Sequence, residues 1–284
     1  MMIPILYILA VTTMSAQSAL SKQGGRLKAD PFRFNFYKAA FALLLFLTAF
    51  LISERTLHAP TIIYGALYGV CITVSMYCGY RALCIGPLSL TSMLATFSLI
   101  VPCIYGAVFL HEAISLLAGL GFVCLVISLV CLNIKDKKDD KKPSLEWAVC
   151  IIATILMNGI SSVIQKEHQL AFPGGYRFTF MSASMLVCTL SYTVICLIKS
   201  SLIVLPTKAD LFGGGSGILN GLSNFFTLWL AGMSPASILF PLISASTMLM
   251  ALLVGKFIFK EKLTVYQIIG FFVGILSVFL LNMR

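Results

Sequence analysis

Two side-chain amides stand four residues apart in "NGLSN", Asn220 and Asn224, and on a helix that spacing puts both on one face. A carboxamide carries two donors and an acceptor with two lone pairs, which suits it to holding a small polar solute and gives it no covalent chemistry. Gln17 and Asn158 are further amides set within apolar sequence, and Ser75, Thr96 and Ser244 add hydroxyls. Polar groups turned toward lipid would lose their partners, so these are the candidate substrate-binding residues, expected to line a central cavity. Hydrogen bonding from helix to helix, about 0.6 kcal/mol for each bond, accounts for any single Ser or Thr better than substrate contact does, which leaves Asn158, Asn220 and Asn224 as the stronger candidates.

The charged groups point away from catalysis. A carboxylate at mid-span costs about 2.5–3.5 kcal/mol and would mark a proton or cation site, but Asp30, Glu54, Glu112, Glu146, Glu167, Asp210 and Glu261 all stand at the ends of apolar stretches or in loops. Glu112 and Glu261 read as hairpin residues that cap the following helix or pair with a loop lysine, with proton coupling as the alternative. Lys22 and Lys166, at helix ends, and Arg81 either snorkel into the interface or attract an anionic or zwitterionic solute. His58, His111 and His168 occur singly, and the nine cysteines show no paired short spacing, so no metal site and no cofactor are expected. A membrane enzyme needs a His, Asp or Glu cluster near the interface, and the sequence offers none.

The elements that must position these residues are membrane spans. Of 284 residues, 59% are hydrophobic and 11% charged, far from the composition of soluble domains. Apolar runs long enough to cross about 30 Å of hydrocarbon as helix recur at about 3–21, 34–52, 61–83, 88–109, 114–133, 146–165, 178–198, 211–231, 236–257 and 264–281. Lipid supplies no partners for open backbone, so each run is read as helix. The expected fold is an all-α integral membrane protein of ten transmembrane helices. A net charge of +10 is spread over loops beside spans, where the lipid bilayer is the partner and nucleic acid is not.

The chain also repeats itself. "LHEAISLLAGLGFVCLVISLVCLN" and "FKEKLTVYQIIGFFVGILSVFLLN" align at one constant offset, pairing Glu112 with Glu261, Gly121 with Gly270, Phe122 with Phe271 and Ser128 with Ser277. Upstream, Gly65 meets Gly213, Gly69 meets Gly217, Ser75 meets Ser223 and Arg33 meets Arg177, with the small drift in offset that loop insertions give. The halves are residues 1–134 and 146–284, joined by a charged loop at 135–145. Each holds five spans, an odd number, so the second enters from the opposite side and the repeats are inverted. Glycines at 65 and 69, at 213, 217 and 221, and at 270 and 274 read as seams where helix backbones approach closely. Of the 20 Lys and Arg residues, Arg55, Lys166, Arg177 and Arg284 fall on the N-terminal face and the rest on the other, which puts the 135–145 loop in the cytoplasm and both termini outside.

With "FLHEAISLLAGLG", "IFKEKLTVYQIIG" and "DPFRFNFYKAAFALLL", the pattern resembles the EamA-type members of the drug/metabolite transporter superfamily, over essentially the whole chain. The resemblance implies ten helices in two five-helix repeats, a small-molecule substrate and export rather than uptake. Many relatives have both termini in the cytoplasm, against the charge count here, and Ala251 stands where Pro102 would have its counterpart. The expected function is secondary transport of a small polar or amphipathic metabolite, drug or amino-acid-like solute by alternating access. The expected setting is the plasma membrane, as a multi-pass monomer or homodimer of the bacterial inner membrane. A non-transporting integral membrane enzyme or assembly subunit is the alternative.

Overall fold

A computed structural model describes residues 2–27, 30–85, 94–95, 97–112, 115–133, 144–199, 207–257 and 264–282. Thr96, Glu261 and the lysines of the 135–145 loop lie outside the described residues. Ten α-helices occur among them: α1 Met2–Arg26, α2 Pro31–Ser53, α3 Ala59–Ile85, α4 Ile100–Val108, α5 Leu116–Asn133, α6 Leu145–Ala171, α7 Arg177–Ile198, α8 Lys208–Ala231, α9 Ala236–Phe257 and α10 Val265–Asn282. A 3-10 turn at Phe97–Leu99 leads into α4. α1 and α6 run several residues beyond the apolar stretches that predict them. In α6 the good helix formers of "QKEHQLA" carry the backbone past the hydrophobic boundary; in α1 the helix continues through "SKQGGR" despite its two glycines.

Local chemistry sets the starts of five of these helices. Asp30 Oδ1 accepts from Phe32 N at 2.8 Å and Arg33 N at 3.2 Å, with Pro31 inside the first turn of α2. Thr207 and Asp210 form a capping box on α8, and Thr264 with Gln267 forms the same reciprocal pair on α10. Ser115 and Ser144 accept from Ala118 N and Trp147 N at the starts of α5 and α6.

Two helices lack such a local cap and are served from far away. Tyr176, ahead of α7, gives no side-chain cap; instead Glu54 accepts from Phe178 N at 3.0 Å, Thr179 N at 2.8 Å and Thr179 Oγ1 at 2.7 Å. Glu112 serves α9 the same way, accepting from Ala236 N at 2.8 Å, Ser237 N at 2.9 Å and Ser237 Oγ at 2.7 Å. A carboxylate at a helix N-terminus satisfies orphan donors and meets the positive end of the helix dipole. Glu112 therefore caps a distant helix of the second half rather than the helix that follows it.

Five helical stretches are long and apolar enough to cross a membrane: Met2–Ser21, Pro31–Ser53, Ala59–Gly79, Leu145–Ala171 and Arg177–Ile198. Shorter apolar helices include Phe97–Val108, Leu116–Cys131, Ala236–Met250 and Val265–Leu281. Large apolar side chains lie on the outside of these helices, as at Leu44, Leu51, Ile63, Leu67, Val123 and Leu190. Such a surface suits hydrocarbon and not water. α8 belongs to neither apolar group, and its glycines, serines and amides face protein instead.

The chain forms two compact units, each drawn from both halves of the sequence. One comprises Met1–Thr73 with Ile164–Met233, the other Val74–Val163 with Ser234–Arg284. The core of the first is Phe46, Tyr68, Phe180, Met181, Phe225 and Leu228. Gly213, Gly217 and Gly221 bring α8 onto the backbone and rings of α2: a Cβ on Gly213 would stand 2.9 Å from the Phe34 carbonyl oxygen, and one on Gly221 2.7 Å from Phe46 Cε2. Gly65 and Gly69 of α3 meet α7 as closely: a Cβ on either would stand 2.6 Å from a carbonyl oxygen, of Phe180 and Ser184 respectively.

In the second unit Leu99, Leu125, Leu129 and Ala245 pack together. There Ser128 donates to the Gly270 carbonyl at 2.6 Å and Ser277 donates to the Gly121 carbonyl at 2.8 Å. Ser128 corresponds to Ser277 and Gly121 to Gly270 in the repeat alignment, so α5 and α10 make one contact twice, with the partners exchanged.

Candidate functional site

In the first unit α8 carries the polar line. Ser216, fully buried, meets Ser21 Oγ at 2.9 Å, and Gln17 on α1 reaches Ser21 from one turn away at 3.4 Å. One turn on from Ser216 comes Asn220, and one turn further Asn224. Asn224 Nδ2 donates to the Asn220 carbonyl at 2.9 Å, while its Oδ1 accepts the Tyr68 hydroxyl at 3.0 Å. Tyr68 is itself 2% exposed, and both asparagines are half-buried. Gln17, Asn220 and Asn224 thus fall along one hydroxyl-and-amide track on α1 and α8, with Tyr68 of α3 at its end.

The second unit holds three more of the predicted residues. Ser75 is buried and donates to the Thr154 carbonyl at 3.4 Å, a helix-to-helix bond between α3 and α6. Asn158 lies one turn beyond Thr154 and is half-buried, its carbonyl accepting from Ser161 and Ser162. Ser244 is half-buried on α9. Arg81 is exposed and meets Glu146 at 2.9 Å. That hydrogen bond first, and the carboxylate's charge second, hold the guanidinium above its ordinary range.

The EamA-like transporter family matches residues 1–134 and 145–283. The chain belongs to that family. No curated protein matches. A solved structure described only as "Crystal structure of protein" is 14% identical, covers 98% of this chain and 96% of its own, and superposes with a TM-score of 0.77. It shares the fold. EamA-like proteins are transporters, so the chain is a multi-pass membrane transporter.

For an EamA-like transporter the residues to which sequence reasoning gave no place in the site are informative. Lys38 is the eighth residue of α2, about 10 Å along the helix from Pro31, is half-buried, and has no ion-pair partner among the described residues. A cation at such depth is a functional candidate by default; its placement inside "FRFNFYKAAF" was the available signal. Arg33 and Asp210 form a buried ion pair at 2.6 Å, with side chains 8% and 2% exposed. With Leu27, Asp30, Thr207, Lys208 and Ala209 they line a cavity of about 370 Å³. Lys166 is 6% exposed, so its side chain is packed inside the protein and does not reach out to the interface. His58 and His168, solitary in sequence, meet the same hydroxyl of Thr61.

Proposed function

We propose that this EamA-like protein is a secondary transporter that moves a small polar or amphipathic metabolite, drug or amino-acid-like solute by alternating access, with export as its direction. The observation that carries this reading is the half-buried pair Asn220 and Asn224, held by Tyr68 on an interior helix of an otherwise lipid-facing bundle. Half-buried amides with spare donors and acceptors favour polar groups over apolar ones. Lys38 favours the part of that range that bears an anionic group, such as an amino-acid-like carboxylate. Two inverted five-helix repeats, 1–134 and 146–284 around a 135–145 loop, are the scaffold we assign. The exchanged bonds between α5 and α10 support it. The setting is the plasma membrane, in a bacterium the inner membrane, with both termini outside.

A thermal-shift screen of the detergent-purified protein against a metabolite panel tests the reading. At a concentration near a hundred times its dissociation constant a true ligand stabilises the fold by about 2.7 kcal/mol. The wild type is expected to respond to at least one polar solute. The Asn220→Leu/Asn224→Leu variant is expected to melt where the unliganded wild type does and to lose the response. A double variant that keeps the full response removes the amide pair from the site.

A further inference from the structure

The cavity at the starts of α2 and α8 is lined by acceptors that the protein leaves unused. Asp210 gathers its donors on one oxygen: Oδ2 accepts from Arg33 Nη2 at 2.6 Å, Thr207 N at 2.7 Å and Thr207 Oγ1 at 2.9 Å. Asp30 does the same, taking Phe32 N at 2.8 Å and Arg33 N at 3.2 Å on Oδ1. Asp210 Oδ1 and Asp30 Oδ2 therefore accept nothing among the described residues, although a carboxylate has about four lone-pair sites to fill. For Asp210, 2% exposed, an acceptor without a donor is costly. Both carboxylates line the same space of about 370 Å³, which is roomy enough for a ligand to bring the missing donor.

Donors line that space as well. Lys208 is exposed on its wall and has no ion-pair partner among the described residues. The first N–H groups of α8, on Lys208 and Ala209, precede any intrahelical acceptor; the Thr207 cap serves Asp210 N and Leu211 N instead. Arg33 is committed to Asp210.

The formal charges of Asp30, Arg33, Lys208 and Asp210 cancel, and this selects the ligand. A simple anion meets two carboxylates there. A divalent cation needs roughly six oxygen ligands and meets a lysine and an arginine. A molecule that carries both signs finds a partner for each. The depth is that of the lipid headgroups, since the apolar stretch of α2 begins at Pro31, one residue after Asp30.

We propose that this cavity binds a primary ammonium carried beside an anionic group. The ammonium donates to Asp210 Oδ1 on the floor and is held from the rim by the charge of Asp30. The anionic group takes Lys208 Nζ and the first N–H groups of α8. An ethanolamine phospholipid headgroup and a free amino acid share this chemistry, whereas a trimethylammonium has no N–H to give. The site shares no residue with the amide track, and it stands whether or not Asn220 and Asn224 hold a transported solute.

The test melts the delipidated protein in detergent with four probes at equal concentration: a short-chain phosphatidylethanolamine, the phosphatidylcholine of the same chains, glycine, and glycine betaine. At least one of the two primary amines is expected to raise the unfolding temperature, and its trimethylated counterpart is not. A response to the ethanolamine lipid identifies a headgroup as the source, and a response to glycine identifies a free zwitterion. No response to either, or an equal response to the trimethylated counterpart, overturns the proposal, and this comparison needs no variant to fold. Lys208→Met and Asp30→Asn, which keeps the α2 cap because asparagine caps as well as aspartate, are each expected to raise the half-saturating concentration at least about tenfold. A response unchanged in both overturns the proposal. The Asn220→Leu/Asn224→Leu variant is expected to keep the response, so this site and the transport site fail separately.

Discussion

The Arg33–Asp210 pair shows what a charge inside this protein requires. Two opposite charges 2.6 Å apart, both nearly inaccessible, recover their desolvation cost only while both are present. Asp210 has a second task, because its Oδ2 also accepts from Thr207 N at 2.7 Å and so holds the first turn of α8. Arg33→Met therefore leaves a buried carboxylate without its cation, and we expect a loss of about 3–5 kcal/mol, measured as a lower unfolding temperature in detergent. Adding Asp210→Asn removes the stranded charge and keeps an acceptor for Thr207. The double variant should be more stable than Arg33→Met alone. Neither member of this pair was singled out from sequence as a partner of the other, since they lie on α2 and α8 and nothing local couples them. Asn224 was legible as a buried amide, but its partner Tyr68 was not, for the same reason.

Glycine decides how closely the helices pack, and its two environments here make opposite predictions. A Cβ on Gly217 would run into the backbone of Lys38, including its carbonyl carbon at 2.7 Å and Cα at 2.8 Å. Backbone cannot swing aside, so Gly217→Ala must part α8 from α2, at about 1–3 kcal/mol. Gly119 on α5 has no neighbour within 4 Å of that position. Gly119→Ala should raise stability by about 0.8–1 kcal/mol through helix propensity alone, and thermal melts of the two variants side by side check both signs. The seam itself was readable, because glycines at 213, 217 and 221 recur every fourth residue on one face. The ten helices were readable too, because an apolar run of span length has few alternatives in lipid. What escaped was every element end capped from a distance. Glu112 carries a capper's side chain in a hairpin, and only the folded chain reveals that its donors belong to α9.

At the scale of the molecule, orientation is the property the bilayer reads from charge. With the 135–145 loop inside, a cysteine at Asp139 should resist a membrane-impermeant maleimide in intact cells. One at Arg55, on the opposite face, should react, and the reverse pattern would invert the assigned topology. Neither half of the sequence makes a core alone, since each compact unit takes helices from both. The capping carboxylates give this a temporal meaning. Glu54 precedes its donors by 124 and 125 residues, and Glu112 precedes its own by the same distances. When the ribosome delivers α7 and α9 to the membrane, the acceptor for each new helix start has already been inserted. The first-made half carries both carboxylates before their donors exist, so a chain halted after α5 would lack both of these caps.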